Sequence, residues 1–444
     1  MKDTPKQLNL PGVPQAKQGR EVALEWAWTE AEVWNERMLA ALVRGVQGGK
    51  WHSLIDKVYR TRVLRNAAAA VIRNQGAAGV DGLTTGGLKA HVEEVVGALE
   101  RQLREDCYEP CPVKRVWIAK AGSQDKRPLG IPTVKDRVVQ TALVAVLEPI
   151  WEREFAEHSY GFRPGRNAHQ AIQRVEGLLA QGCHWVVDAD VKGYFDNIPQ
   201  DQLMARVGEQ VADGRVLRMV TAYLKQGVME TGKGWQPTER GTPQGAVLSP
   251  LLANIYLNPL DHQMAAAGWA MTRYADDFII QCRSREEAEA ALAVVRQWMV
   301  AAGLTLHPEK TRIVDASQPG GFDFLGWHFE RGLKWPREKS VNRLRETLRA
   351  LTPRNHGQSL PEIIRQVNRR LTGWRAYFRG GQGSVYERLD QWLRMRLRSI
   401  LRQRVGRKGC GHGQDHNRYP NVYFADLGLI SLKASAWAKR ANPA

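Results

Sequence analysis

The sequence predicts an α+β fold in which interspersed strands and helices give way to an all-helical C-terminal region. Three observations carry that expectation. Between residues 80 and 330, short β-rich runs alternate with segments of helical period. From 336 to 405 only helical periodicity remains: Val341, Leu344, Leu348 and Leu351 share one face, as do Leu389, Leu393, Leu397 and Leu401. The charge is segregated in the same way. The 444 residues carry a net +18, and residues 331–408 alone hold 21 Lys and Arg against 5 acids. The remainder of the chain is close to neutral.

The elements follow in order. Residues 1–50 read as an N-terminal extension with one amphipathic stretch, Ala23 to Val46. VKRVWIAK and RPLGIP, joined by the polar AGSQDK, predict a hairpin within 114–131. Lys135 to Phe155 places Val139, Leu143, Val146, Leu147 and Ile150 on one helical face, and Gly165 to Leu179 is a second helix. His184 to Asp190 alternates as a strand. Ser249-Pro250 starts a helix with a Ser N-cap and an early Pro. Met271 to Gln281 reads strand–turn–strand, and Ser284 with Glu287 forms a capping box for a helix ending near Gly303. The expected divisions are 1–50, a mixed unit over 51–335, a helical unit over 336–405 and a short tail over 406–444.

Composition excludes several classes. At 43% hydrophobic and 25% charged, the chain belongs among folded proteins, not disordered ones. Five scattered cysteines (Cys107, Cys111, Cys183, Cys282, Cys410) do not make a disulfide scaffold. MKDTPKQLNLPG is too polar for a secretory signal, and Glu148 and Pro149 interrupt the most apolar stretch, Val138 to Trp151. The expectation is a cytoplasmic, reduced protein without membrane contact, nucleoid-associated when it acts on DNA. Its positive surplus calls for a polyanion, nucleic acid first.

Chemistry concentrates in the acids. Asp276 and Asp277 lie in Tyr-Ala-Asp-Asp, followed by apolar Phe278, Ile279 and Ile280. An Asp-Asp pair alone equally suits a hairpin turn. Asp190, however, ends the apolar strand WVVDAD, with Asp188 on the same face. If these strands pair, Asp190 and Asp276 converge, and carboxylates that converge call for a divalent cation such as Mg²⁺. Such a site suits two-metal phosphoryl transfer.

With these motifs in hand, the chain resembles the group II intron-encoded reverse transcriptases, or maturases, over about residues 76–435. The resemblance runs in order through GAAGVDGLT, KRPLGIPTVKDRVVQ, SYGFRPGRNAHQAI, DADVKGYFDNI, GTPQGAVLSPLLANIYL, RYADDFII, FLGWHF and LTGWRAYFR. It implies a right-hand polymerase fold, with fingers and an antiparallel palm sheet followed by a helical thumb/maturase domain. It implies two Mg²⁺ ions held by Asp190, Asp276 and Asp277 with the Val191 carbonyl, Asp277 supporting the site without bridging both ions. Lys120 and Arg127 would hold the incoming triphosphate, though each also suits a turn-flanking charge. Gln244 would contact the nucleotide or simply cap its loop, with Gly241 and Gly245 allowing close backbone approach. Phe195 would lie beneath the sugar and exclude a 2′-hydroxyl. Without the resemblance, it reads as core.

Arg163 and Arg166 could hold template phosphates, or belong to a solvated turn. In the basic helical region Trp374, Arg375, Arg379, Arg394, Arg396, Arg398 and Arg402 are the candidate RNA contacts, through arginine forks interleaved with aromatics. A bland solvated bundle is the alternative. The resemblance further implies intron RNA, an RNA template, a DNA primer or target and deoxynucleotides as partners, with a homodimer left open. Many relatives end in a zinc-supported endonuclease with paired cysteines. Here Cys410, His412 and His416 fall short of four ligands, so no DNA cleavage is expected. Two competing functions remain at this level, a splicing-only RNA-binding maturase and a defence or retron-type reverse transcriptase.

Overall fold

The computed structural model describes residues 26–119, 126–355, 357–407, 409, 411 and 413–433. Its strands are β1 (Val113–Ala119), β2 (Lys126–Ile131), β3 (Trp185–Ala189), β4 (Val228–Glu230), β5 (Gly234–Gln236), β6 (Ala270–Tyr274), β7 (Asp277–Cys282), β8 (Arg312–Asp315), β9 (Phe322–Phe324), β10 (Trp327–Glu330) and β11 (Leu333–Pro336). They form three sheets, ordered β2-β1-β4-β5, β6-β7-β3-β8 and β11-β10-β9. The four strands of the middle sheet pair antiparallel throughout. The expected hairpin is present as antiparallel β1 and β2, while its turn lies outside the described residues.

The middle sheet is buried on both faces, because period-2 alternation sends successive apolar side chains into different cores. Val187, Phe278 and Ile280 enter a large core with helices Thr61–Asn74, Val134–Glu152, Gln200–Gln210, Ser249–Ala266 and Arg285–Ala301. Val186 and Ile279 enter a second core with helix Ala168–Ala180, β9, β10 and helices Glu338–Leu351, Leu360–Tyr377 and Gly383–Arg404. The sheet is therefore the shared wall between the mixed unit and the basic helices.

Both ends of the described chain are tied in. Trp26, Val33, Trp34 and Leu42 join the large core, and Trp34 Nε1 donates to the Ala145 carbonyl at 2.9 Å. The amphipathic stretch forms a helix only over Glu36–Arg44, and its expected start at Ala23 lies outside the described residues. Near the other end, Phe424 and Leu432 enter the second core. The Asp390 carboxylate accepts from Leu432 N at 3.0 Å and Ser431 Oγ at 2.6 Å. The described part of the tail, to residue 433, is thus packed onto the basic helices.

Local capping shows two small departures. Ser284 caps helix Arg285–Ala301 by accepting from Glu287 N, but the Glu287 carboxylate reaches back to Arg283 N, one residue earlier than a capping box requires. Helix Ser249–Ala266 has Leu248 at its N-cap, and the Ser249 hydroxyl donates instead to the Pro243 carbonyl at 2.8 Å.

Two outcomes test this packing. Phe424→Ala is expected to lower unfolding free energy by about 3–5 kcal/mol in denaturant titration; a loss near zero would detach the tail from the core. Burial, then repulsion from Glu152, pushes the Glu148 carboxyl up to about 7. A native pKa above the unfolded value of about 4.3 means the native state binds the extra proton. The stabilisation is full below about pH 4 and is lost as pH rises through 7. Stability should therefore fall from pH 5 to 8, and Glu148→Gln should flatten that fall; an unchanged slope would contradict it.

Candidate active site

The β6–β7 hairpin carries the paired acids. Tyr274 pairs with Asp277, leaving Ala275 and Asp276 as a two-residue turn. Ala275 takes φ +61°, the left-handed region that such tight hairpins demand at this position. In β3 Ala189 pairs with Phe278, so Asp190, the next residue, emerges beside the turn. Val191 bridges to Leu306, and His307 N donates to the Asp190 carbonyl at 2.7 Å, fixing the strand end. Two segments, the end of β3 and the β6–β7 hairpin, thus deliver Asp188, Asp190, Asp276 and Asp277 to one cleft.

The electrostatics of this cleft record crowding. Withdrawal from water raises the Asp276 carboxyl pKa, and Asp190 adds to the rise, while Arg127 and Arg273 oppose it. Asp277 is pushed up to about 7 by withdrawal into the cleft, then by Asp188, Asp276 and Asp190, although solvent still reaches its side chain. Asp188 is raised by burial despite the Arg312 Nε contact at 3.3 Å. Lys310 Nζ sits 2.8 Å from Asp190 Oδ2.

These residues fit a divalent cation. The chemistry of the set is hard oxygen, the acids push one another's pKa values up, as crowded carboxylates do, and a lysine ammonium already leans on Asp190. Among the described residues, no three His, Cys, Asp or Glu side chains are already gathered closely enough to cage a metal ion. Repelling acids partnered separately by Lys310 and Arg312 are in keeping with that spacing.

The turn is fixed from beneath by a buried arginine. Arg273 and Asp261 are both fully buried, with Arg273 Nη2 2.5 Å from Asp261 Oδ2 and Arg273 Nε 2.8 Å from Oδ1. Arg273 Nη1 donates to Asn254 Oδ1 at 2.9 Å and to the Ala275 carbonyl at 2.8 Å, inside the turn itself. Burial opposes the guanidinium's charge, but the Asp261 carboxylate outweighs it and holds the pKa above its usual value. Asp261→Asn should cost about 3–5 kcal/mol, because it leaves Arg273 charged, buried and underpaired. Thermal unfolding of the full chain checks this, and a stability equal to wild type would contradict it.

On the nucleotide side, Phe195 lies in the short helix Tyr194–Asn197 directly after Asp190, half-buried, with its ring against Tyr194 and Phe162. Gln244 Nε2 donates to Asp196 Oδ2 at 3.0 Å. The flanking glycines do allow close approach: a Cβ on Gly241 would lie 2.5 Å from the Phe195 carbonyl, and one on Gly245 2.6 Å from that of Gly130. Arg127 is exposed on β2, opposite Ile118, and its charge acts on Asp276. Lys120 lies outside the described residues.

Most of the candidate nucleic-acid contacts have partners within the protein itself. Arg163 is 6% exposed and spends its donors on the Glu152 carboxylate and the Ala156 and Ser159 carbonyls, so it braces its own loop. Arg166 bonds the Glu157 carbonyl and lies over the Tyr160 ring. Arg398 is buried and bonds the Tyr419 carbonyl and Asn421 Oδ1, which ties down the tail. Arg402 pairs with Asp415 at 2.7 Å, and Arg396 bonds Thr352. Trp374 packs on Phe378 and Tyr386, and Arg375 lies over the Tyr386 ring. Arg379 is exposed and Arg394 half-exposed. Sequence reading missed Arg345 and Arg349, which with Arg396 surround the Trp392 ring at 6.0, 5.8 and 5.5 Å. It also missed Lys310, Arg273, Asp261 and Phe162.

With this geometry established, comparison with known proteins gives the family. Residues 118–329 match the model for reverse transcriptase (RNA-dependent DNA polymerase), and residues 341–419 match the group II intron maturase-specific domain. Protein YkfC of Escherichia coli K12 is 32% identical over 72% of this chain and 92% of its own length. The group II intron-encoded protein LtrA of Lactococcus lactis is 42% identical over 38% of this chain, a match spanning 28% of that longer protein. Among solved structures, a chain of a partial Cas6-RT-Cas1–Cas2 complex is 27% identical, with 56% of this chain and 42% of that one covered and a TM-score of 0.37. The chain belongs to the group II intron-encoded reverse transcriptase/maturase family, whose polymerase domain is joined to a maturase-specific domain.

Proposed function

We propose that this protein copies RNA into DNA at the Asp190–Asp276–Asp277 cleft and grips intron RNA through its basic helices, in support of splicing and mobility. The observation that carries the first half is the delivery of four carboxylates to one cleft by β3 and the β6–β7 turn, fixed by buried Arg273. Asp190 and Asp276 would hold two Mg²⁺ ions with the Val191 carbonyl, and Asp277 would supply supporting negative charge. When bound, the ions make the primer 3′-hydroxyl a better nucleophile and offset charge on the departing pyrophosphate.

The chain's own residues do the positioning. Lys310, exposed and 2.8 Å from Asp190 Oδ2, offsets the charge of that carboxylate. Arg127 and Lys120 hold the triphosphate of the incoming deoxynucleotide. Gln244, now bonded to Asp196, is within the loop that meets the nucleotide. Phe195 occupies the space a 2′-hydroxyl would need, which selects deoxynucleotides. These contacts act by orientation and preorganised charge.

RNA recognition would fall to the cations that folding leaves available, Arg379 and Arg394, with Arg345 and Arg349 around Trp392. They suit phosphate and shape recognition of structured RNA. The splicing-only reading is disfavoured by an acid cluster held on a buried scaffold, and the defence or retron reading by the maturase-specific domain. Among the described residues no helix is long and apolar enough to cross a membrane, and we place the protein in the cytoplasm, with the nucleoid when it acts on DNA.

Primer extension tests the site. With Mg²⁺, the protein should extend a DNA primer on an RNA template, and Asp276→Ala should reduce this roughly a thousandfold while RNA affinity stays near wild type. Normal extension by that variant would overturn the assignment.

A further inference from the structure

We propose that Phe162 is a positioning residue for sugar discrimination, holding the Phe195 ring in place against the sugar. The proposal rests on the steric role given to Phe195 above.

Phe162 stands in a position that core packing does not explain. It is 48% exposed, yet its backbone adopts φ +57°, a conformation unfavourable for a bulky side chain. Such strain persists only where the surroundings over-determine it. Both neighbours do so here. Gly161 lies so close to the catalytic turn that a Cβ would fall 2.2 Å from Ala275 N, and its carbonyl accepts from Asn254 Nδ2 at 2.8 Å. Arg163, on the other side, is buried in its bonds to Glu152, Ala156 and Ser159. The loop is also stitched to β6, because Tyr160 N donates to the Arg273 carbonyl at 2.9 Å and Arg273 N to that of His158 at 3.0 Å. The same arginine therefore braces the catalytic turn and the backbone that carries Phe162.

What this strained loop presents is a ring edge against Phe195. The centroids lie 6.5 Å apart with planes at 78°, an edge-to-face pair. A second aromatic neighbour of Phe195, which also packs against the large core, is Tyr194, at 5.6 Å and 69°. Tyr194 is fixed, since it is buried and its hydroxyl donates to the Ala253 carbonyl at 2.6 Å. Phe195 thus meets two rings, one fixed by burial and a hydrogen bond and one carried by a pinned loop. A half-buried phenylalanine with one neighbour could swing aside for a 2′-hydroxyl. With both neighbours present, that swing requires breaking an aromatic contact. Sugar selection on this account belongs to the pair, and Phe162 contributes without touching the sugar.

The test is single-nucleotide insertion by the full-length protein with Mg²⁺ on an RNA template with a DNA primer. The kcat/KM ratio of deoxynucleotide to ribonucleotide is taken within each variant, so a partly folded preparation affects both values alike. Phe162→Ala is expected to lower this preference about fivefold, and Phe162→Tyr to restore it. In a Phe195→Ala background, adding Phe162→Ala should change the ratio little, since the ring to be held is gone. The proposal is overturned if Phe162→Ala leaves the ratio at wild type while Phe195→Ala collapses it. It also fails if both efficiencies fall equally, the signature of a template-stacking or merely structural ring. A ratio unmoved by Phe195→Ala would remove the steric role of Phe195 itself, and this inference with it.

Discussion

The buried contact between Arg273 and Asp261 is the constraint on which the polymerase half depends. A two-residue turn carrying adjacent acids is an unstable object, since its carboxylates repel and its Ala275 takes a left-handed backbone. A cation placed beneath it in low dielectric, bonded to the Ala275 carbonyl, opposes both tendencies. The pair is not there for stability as such, because a buried ion pair roughly breaks even against apolar packing. Its value is specificity: Asp261 and Asn254, on one helix, set where Arg273 points, and Arg273 sets where the turn lies.

The palm sheet extends that constraint to the whole molecule. Because β3 and β7 send alternate side chains into two cores, the sheet that carries the acids also forms the wall on which the basic helices are built. The acid cleft and the basic helices are thereby joined through packed side chains. The charge follows the same division. Acids and bases nearly offset one another over most of the chain, while the excess lies beyond residue 331.

Much of this was legible in the residues, for local reasons. Strand alternation in WVVDAD and the apolar run after Tyr-Ala-Asp-Asp foretell two strands whose pairing would bring Asp190 towards Asp276, and they do pair, at Ala189 with Phe278. The heptad-like leucines from Leu389 to Leu401 are buried as their spacing requires. The brace was not legible, because Asp261 and Asn254 are 12 and 19 residues from Arg273 and no periodicity links them. The arginines show the opposite failure. Composition counts Arg163 and Arg398 as cations for nucleic acid, but burial is settled by what folds over them, Glu152 in one case and the tail in the other. Phe162 was hidden for a related reason, since its loop conformation is imposed by contacts with β6 and its own sequence gives no sign of it.

Asp190 and the braced acid turn are proposed to form one metal site together. Counting bound Mn²⁺ by electron paramagnetic resonance tests it directly, with an RNA template, a DNA primer and a non-reactive deoxynucleotide analogue present. About two ions per chain are expected for the wild type and a loss of at least one in Asp190→Asn, whose amide removes charge at nearly constant shape. The same ion count and affinity in both proteins would contradict it.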